Sequence, residues 1–192
     1  MADEEYINDI INGDIHTTNQ ESAGLESRNQ AKTFIYALIY GAGDEKLGTI
    51  VQGNRADGKR LRESFINNNP AFKTLRDRVE RASSRGYLKG LDGRKIFIRH
   101  RHASLNTLLQ GAGAIVMKKA LTILADMLDL QTIPARIVAN IHDEWQIEVP
   151  EAQANGVGAL AVRCIEQASS EYDLRCPLTG EFNIGDSWYE TH

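Results

Sequence analysis

The stretch Arg136-Ile137-Val138-Ala139-Asn140-Ile141-His142-Asp143-Glu144-Trp145-Gln146-Ile147-Glu148-Val149 decides the fold of the second half of this chain. Residues 136–141 and 145–149 are short apolar runs rich in β-branched side chains. Ile137, Val138 and Ile141 precede His142-Asp143-Glu144, and Ile147 and Val149 follow it. Two such runs joined by a few polar residues read as a β-hairpin. Its tip then carries an imidazole and two adjacent carboxylates where Asn-Gly is the ordinary choice. Like charges side by side repel unless a cation offsets them. The tip is therefore a candidate divalent-metal site, whose hard oxygen ligands suit magnesium (Mg2+). A solvated turn is the other reading, and the tripeptide alone does not choose between them.

Working outward, 192 residues allow one domain or two small ones, and a 42% hydrophobic content is enough for a core. No stretch reads as long and apolar enough to span a bilayer, and the acidic start Met1-Ala2-Asp3-Glu4-Glu5 is unlike a secretory leader. No membrane partner is expected. Cys164 and Cys176 form neither a metal pattern nor a disulfide framework, which favours a reducing, cytoplasmic setting. The net charge of −4 hides an asymmetry: residues 55–101 hold 14 Lys/Arg against 5 Asp/Glu, a local charge of +9, leaving −13 elsewhere. Such a zone is either a surface for a phosphate backbone or a solvated helix face.

Upstream, residues 3–12 read as the end of a helix broken at Asn12-Gly13, and Asp14 as the cap of a second helix to Ala23. Ser27 caps a third, on which Phe34, Ile35, Leu38 and Ile39 recur at helical spacing up to Gly41. Further helices are expected over 44–51, 57–68 and 70–84, the last with Pro70 in its first turn. A small hairpin over 87–98 turns at Asp92-Gly93. The longest helical pattern runs from 102 to 128, thinned at Gly111 and Gly113 where a close approach is expected. A helix over 151–172 and a strand near 178–184 complete the chain. The order reads as α+β: a helical half, then long helices with a small antiparallel sheet.

Within the third helix, Arg28, Lys32, Tyr36 and Tyr40 recur every fourth residue. A four-residue step advances the azimuth by roughly 40°, so all four lie on one drifting stripe. Two cations followed by two aromatics suit a nucleoside triphosphate, the cations meeting phosphate and a ring meeting the base. An amphipathic boundary face gives the same spacing.

The run from Arg28 to Gly41 closely resembles the fingers-helix motif of family A DNA polymerases, R-x3-K-x3-(F/Y)-x3-Y-G. Ala42-Gly43-Asp44 continues it as in the bacteriophage replicative branch. His142-Asp143-Glu144 matches the family's last palm motif, and Gly13-Asp14-Ile15-His16-Thr17 the segment before the fingers helix. The run Leu105-Asn106-Thr107-Leu108-Leu109-Gln110 resembles the palm helix that reaches the minor groove. The resemblance covers essentially the whole chain. It implies palm-to-fingers helices over 1–26, fingers helices over 27–86, and a partial palm with the HDE hairpin over 87–192.

The resemblance further implies a role for each matching residue. Arg28, Lys32 and His16 would contact the incoming triphosphate, with Lys32 also a general acid near the departing phosphates. Tyr36 would pack beneath the sugar and Tyr40 near the templating position. Asp143 would ligate magnesium and Glu144 would be a neighbouring acidic contributor. His142 would contact the primer end, and Asn106 and Gln110 the minor groove. His102 reads equally as a template contact or a helix-start residue, Trp145 and Trp188 as packing, and His192 gives no functional signal. The partners implied are primer-template DNA and a dNTP.

The family's first palm motif, D-x-S-x-x-E, does not occur in the sequence. It supplies a second metal-binding carboxylate, and nucleotidyl transfer by two metals needs both. The resemblance thus implies a C-terminal part of a phage-type DNA polymerase, inactive alone, with Met1 inside a family helix. Gly185-Asp186-Ser187-Trp188 resembles the family's own ending. The alternatives are one subunit of a split polymerase, completed by an upstream chain with the missing motif, thumb and exonuclease, or a non-enzymatic DNA- or nucleotide-binding remnant.

Overall fold

The structure, a computed structural model, describes residues 4–192. Residue 3, where the first helix was expected to begin, lies outside the described residues. The elements are α1 (Glu4–Asn12), α2 (Ile15–Ala23), α3 (Arg28–Ile39), α4 (Asp44–Thr49), α5 (Arg55–Asn68), α6 (Pro70–Ser83), β1 (Tyr87–Lys89), β2 (Lys95–Phe97), α7 (Ser104–Leu130), β3 (Arg136–Ile141), β4 (Glu144–Glu148), α8 (Ala154–Glu171) and α9 (Trp188–Thr191). The α+β class is as expected, with two separate antiparallel hairpins, β1–β2 and β3–β4. Two compact units arise, one of residues up to 89 with 95–109, the other of 90–94 with 110–192.

In the first unit, helix starts follow their caps. Asp14 accepts the His16 amide, and Ser27 and Gln30 form a reciprocal capping box. α5 begins at Arg55 rather than 57, because Asn54 accepts from Asp57 N and Asp57 returns a bond to Asn54 N. The core gathers Ala31, Phe34, Ile35 and Leu38 of α3 with Leu47, Leu61 and Phe65. Phe34 meets Phe65 edge-on at 5.7 Å, a favoured aromatic geometry. α4 and α5 cross closely: a Cβ on Gly58 would overlap the Asp44 carbonyl and the Gly48 amide. Arg62 fastens the crossing through Asp44 Oδ1 at 3.0 Å and the Ala42 carbonyl at 2.7 Å. A smaller core of Val79, Leu88 and Leu105 seats the inner face of β1–β2.

In the second unit, Val116, Ala120, Ile123, Leu124 and Leu128 of α7 pack with Val157, Leu160, Cys164 and Ala168 of α8. Trp145, Ile147 and Val149 close this core from the hairpin side. Contrary to expectation, the segment Arg101–Leu130 is long and apolar enough to cross a membrane by length and composition. Of its apolar residues, Val116, Ala120, Ile123, Leu124 and Leu128 are the ones buried in the core shared with α8. The close approach expected in mid-helix is not found at Gly113, where an added Cβ would meet open space. The strand expected near 178–184 is also absent. Leu178 N bonds to Ser169 Oγ, Thr179 Oγ1 to Glu166 Oε1, and Phe182 rests against Gly158. Side-chain anchors and a ring against α8 hold the segment.

Candidate active site

The capping box at Ser27 fixes where α3 begins, and burial of Ala31, Phe34, Ile35 and Leu38 fixes its rotation. The remaining stripe is turned outward: Arg28 and Lys32 are exposed, Tyr36 is 48% and Tyr40 51% exposed. The two tyrosine rings stack at 6.5 Å and 27°. The stripe is thus a presented surface. Lys32 makes no ion pair among the described residues. Gly41 ends α3 at φ 79°, and a Cβ there would overlap the His102 carbonyl. The glycine of the Y-G pair is required on both counts. His102 itself stacks on His100 at 5.6 Å, in the turn before α7.

Arg28 is not loose. Its Nε donates to Asp14 Oδ2 at 2.7 Å, while Asp14 Oδ1 accepts from His16 N and Oδ2 from Thr17 Oγ1. The hydrogen bond from Arg28, before the smaller contributions of Thr17 and His16, holds the Asp14 carboxyl well below the usual carboxylate range. One carboxylate therefore ties the Arg28 guanidinium to the start of α2, where His16 lies. The His16 Nδ1 atom is buried with no hydrogen-bond partner. Asp14, a helix cap and part of the Gly13–Thr17 motif by sequence, is in the structure also the partner of Arg28. Asn106 leaves a buried Oδ1 unpaired, a polar atom prepared for a donor.

In the second unit the HDE tip is tighter than expected. Ile141 pairs with Glu144, so the turn is His142-Asp143 and Glu144 is the first residue of β4. His142 sits at φ 54°, in the left-handed region. Two-residue hairpin turns demand such backbone, which is why Gly and Asn prevail there. A histidine in this position is strained, and strain of this kind clusters at functional sites. Asp143 is exposed and forms no hydrogen bond or ion pair among the described residues.

Glu144 is the opposite case. Its Oε1 accepts from Gln146 Nε2 at 2.5 Å and from Trp188 Nε1 at 2.9 Å, and its Oε2 lies 2.8 Å from His192 Nδ1. These contacts, Gln146 first and His192 next, hold its carboxyl below the ordinary glutamate value. Trp188, expected as packing, is half exposed and serves as a donor, and His192 engages the motif. Thr191 Oγ1 also donates to Gln146 Oε1. The last residues of the chain thus fasten Glu144, 44 and 48 positions away, a separation no local pattern reveals. Trp145 does pack into the core, with its Nε1 buried and unpaired. Gln110, also in this unit, is exposed on α7.

The model of the family described as DNA polymerase family A matches residues 3–190. The chain belongs to that family. A DNA-directed DNA polymerase of Escherichia phage Phieco32 is 40% identical over 97% of this chain and 32% of its own length. The DNA-directed DNA polymerase of Escherichia phage T7 is 37% identical over 98% of this chain and 30% of its own. DNA polymerase I of Geobacillus stearothermophilus is 26% identical over 92% of this chain and 21% of its own. The phage enzymes are thus the more similar, in line with the expected branch. The chain spans about a third of the length of these phage relatives. Among solved structures, the POL domain of Pol1 from M. smegmatis, in complex with DNA primer-template and dNTP, has the same fold. Its TM-score is 0.75 at 20% identity, over 85% of this chain and 33% of that one.

Proposed function

We propose that this family A chain supplies the triphosphate-gripping helix and one metal-holding carboxylate of template-directed nucleotidyl transfer to a primer 3′-hydroxyl. The observation that carries the reading is the contrast at the hairpin tip. Asp143 is left unpartnered on a strained turn, while its neighbour Glu144 is fully engaged. In this reading Arg28, oriented by Asp14, and Lys32 meet the phosphates of a dNTP, His16 adds a contact, and Lys32 protonates the departing diphosphate. Tyr36 and Tyr40 offer rings to sugar and base, and His142, Asn106 and Gln110 touch primer-template DNA.

Among the described residues no three His, Cys, Asp or Glu side chains cluster as a metal site. A single free carboxylate still fits magnesium, which is commonly held by one or two carboxylates together with substrate phosphates and water. Bound there, the ion would lower the pKa of the attacking hydroxyl and offset charge on the phosphates. Glu144 keeps its own oxygens on Gln146, Trp188 and His192, so it acts by shaping the tip. The second carboxylate would come from a polypeptide bearing D-x-S-x-x-E. The setting is a cytoplasm, that of a bacterial host for a phage-encoded enzyme, where the free thiols of Cys164 and Cys176 are the ordinary state.

The test mixes the purified chain with a polypeptide carrying D-x-S-x-x-E, a primed template, magnesium and four dNTPs. Templated extension by the mixture and none by the chain alone supports the reading. Steady extension by the chain alone contradicts its two-part form. DNA binding without extension in the mixture marks the chain as a non-enzymatic remnant.

A further inference from the structure

The β1–β2 hairpin presents an outer face that shares no residue with the α3 stripe or the β3–β4 tip. Leu88 is buried in the core of Val79 and Leu105, its cross-strand partner Ile96 is half-buried on the same face, and the register pairs Tyr87 with Phe97 and Lys89 with Lys95. Alternation then puts Tyr87, Lys89, Lys95 and Phe97 together on the outer face. Phe97 is 74% exposed. Lys95 Nζ stands 4.8 Å from the Tyr87 ring centroid and the Arg85 guanidinium 5.6 Å, both within cation–π range.

Stability does not explain this face. Like charges directly opposite one another on a hairpin are destabilising, as Lys89 and Lys95 are here. Neither lysine, nor the nearby exposed Arg99 and Arg101, has a carboxylate partner among the described residues. A 74% exposed phenylalanine beside lysines that lack a carboxylate partner among the described residues adds little to the fold by itself. The combination suits a polyanion that carries flat rings.

We propose that the outer face of this hairpin binds an unpaired nucleic-acid strand, with a base stacked on Phe97 and phosphates on Lys89 and Lys95. Charge complementarity selects a polyanion, and the exposed ring selects one whose bases are free to stack. In a duplex those π-faces are already covered by neighbouring base pairs. From the polymerase reading the proposal takes only the source of the strand, an unpaired template.

The experiment titrates a labelled oligothymidylate of about ten nucleotides, within the span such platforms cover, with the full chain and follows anisotropy. No primer, dNTP or metal is present, so the result is independent of the extension assay above. Phe97→Ala is expected to weaken binding roughly 5- to 150-fold, the stacking worth of one base, and Phe97→Tyr to restore it. Lys89→Gln with Lys95→Gln should flatten the log K against log salt slope by about 1.4, from about 0.7 per phosphate on a single strand. Equal affinity of Phe97→Ala and wild type, no binding by wild type, or a preference for duplex would each overturn the proposal. So would displacement of the strand by polyglutamate with no dependence on Phe97, which would make the face a dock for acidic protein.

Discussion

Replacing His142 with glycine should stabilise the chain while damaging its activity. His142 is held at φ 54° and forms no hydrogen bond among the described residues to offset the strain. A non-glycine residue in the left-handed region costs about 1–2 kcal/mol. Glycine relieves this but releases about 0.4–1 kcal/mol more chain entropy on unfolding. The net gain for His142→Gly is then about 0.5–1 kcal/mol, or about 1–4 °C in Tm for a chain of this size. Asparagine, which tolerates the same region, should fall between the two. Thermal melting followed by circular dichroism measures the shift. In the two-part extension assay the same variant should lose roughly 10- to 150-fold, the worth of a hydrogen bond to a charged group. A fall in Tm on introducing glycine would refute the argument, since it would mean the imidazole stabilises the turn.

Other consequences follow from the packing and the ion pairs. Phe34→Ala, which empties a fully buried ring site against Phe65, should cost about 3–5 kcal/mol in urea unfolding; a loss under 1 kcal/mol would mean that the α3 core is misassigned. The Asp14 and Glu144 carboxyls are both depressed in the folded chain. Their contribution to stability is therefore full above the unfolded values near ~4 and lost as pH falls through the lower folded ones. Carboxyl-detected NMR should show Asp14 rising toward an ordinary value in Arg28→Ala and Glu144 rising in Gln146→Ala, and unchanged titrations would remove the pairings. Burial also pushes the Cys164 thiol up, so a thiol reagent should modify Cys176 well before Cys164 in the native chain. Simultaneous modification of both would contradict the α7–α8 core.

Much of this was legible because local chemistry dictates it. Asp14, Ser27 and Pro70 announce helix starts, and the 28-32-36-40 stripe needed only helical spacing. The rest depends on specific pairings, some three residues apart and some more than forty. The Asn54 cap is local, and Asp57 three residues on is its signature. Glu144 was read as part of the turn because the register, tightened to two residues, follows from pairing with Ile141. Residues 178–184 carry strand-like alternation, but Leu178 and Thr179 bond to Ser169 and Glu166 of α8 instead of to a neighbouring strand. The grip of Trp188 and His192 on Glu144 spans 44 and 48 positions of sequence. The basic zone of 55–101 was visible as charge, whereas the mixed ring-and-lysine face appears only once Leu88 and Ile96 are seen to share the opposite face.

Single-turnover incorporation of one dNTP by the two-part enzyme bears most directly on whether Asp143 and Lys32 carry the chemistry. Asp143→Ala and Lys32→Ala should each slow incorporation by more than about 100-fold, the loss expected when a metal-holding or charge-offsetting group leaves a phosphoryl-transfer site. Incorporation within a few-fold of wild type by Asp143→Ala would show that the hairpin tip holds no catalytic ion.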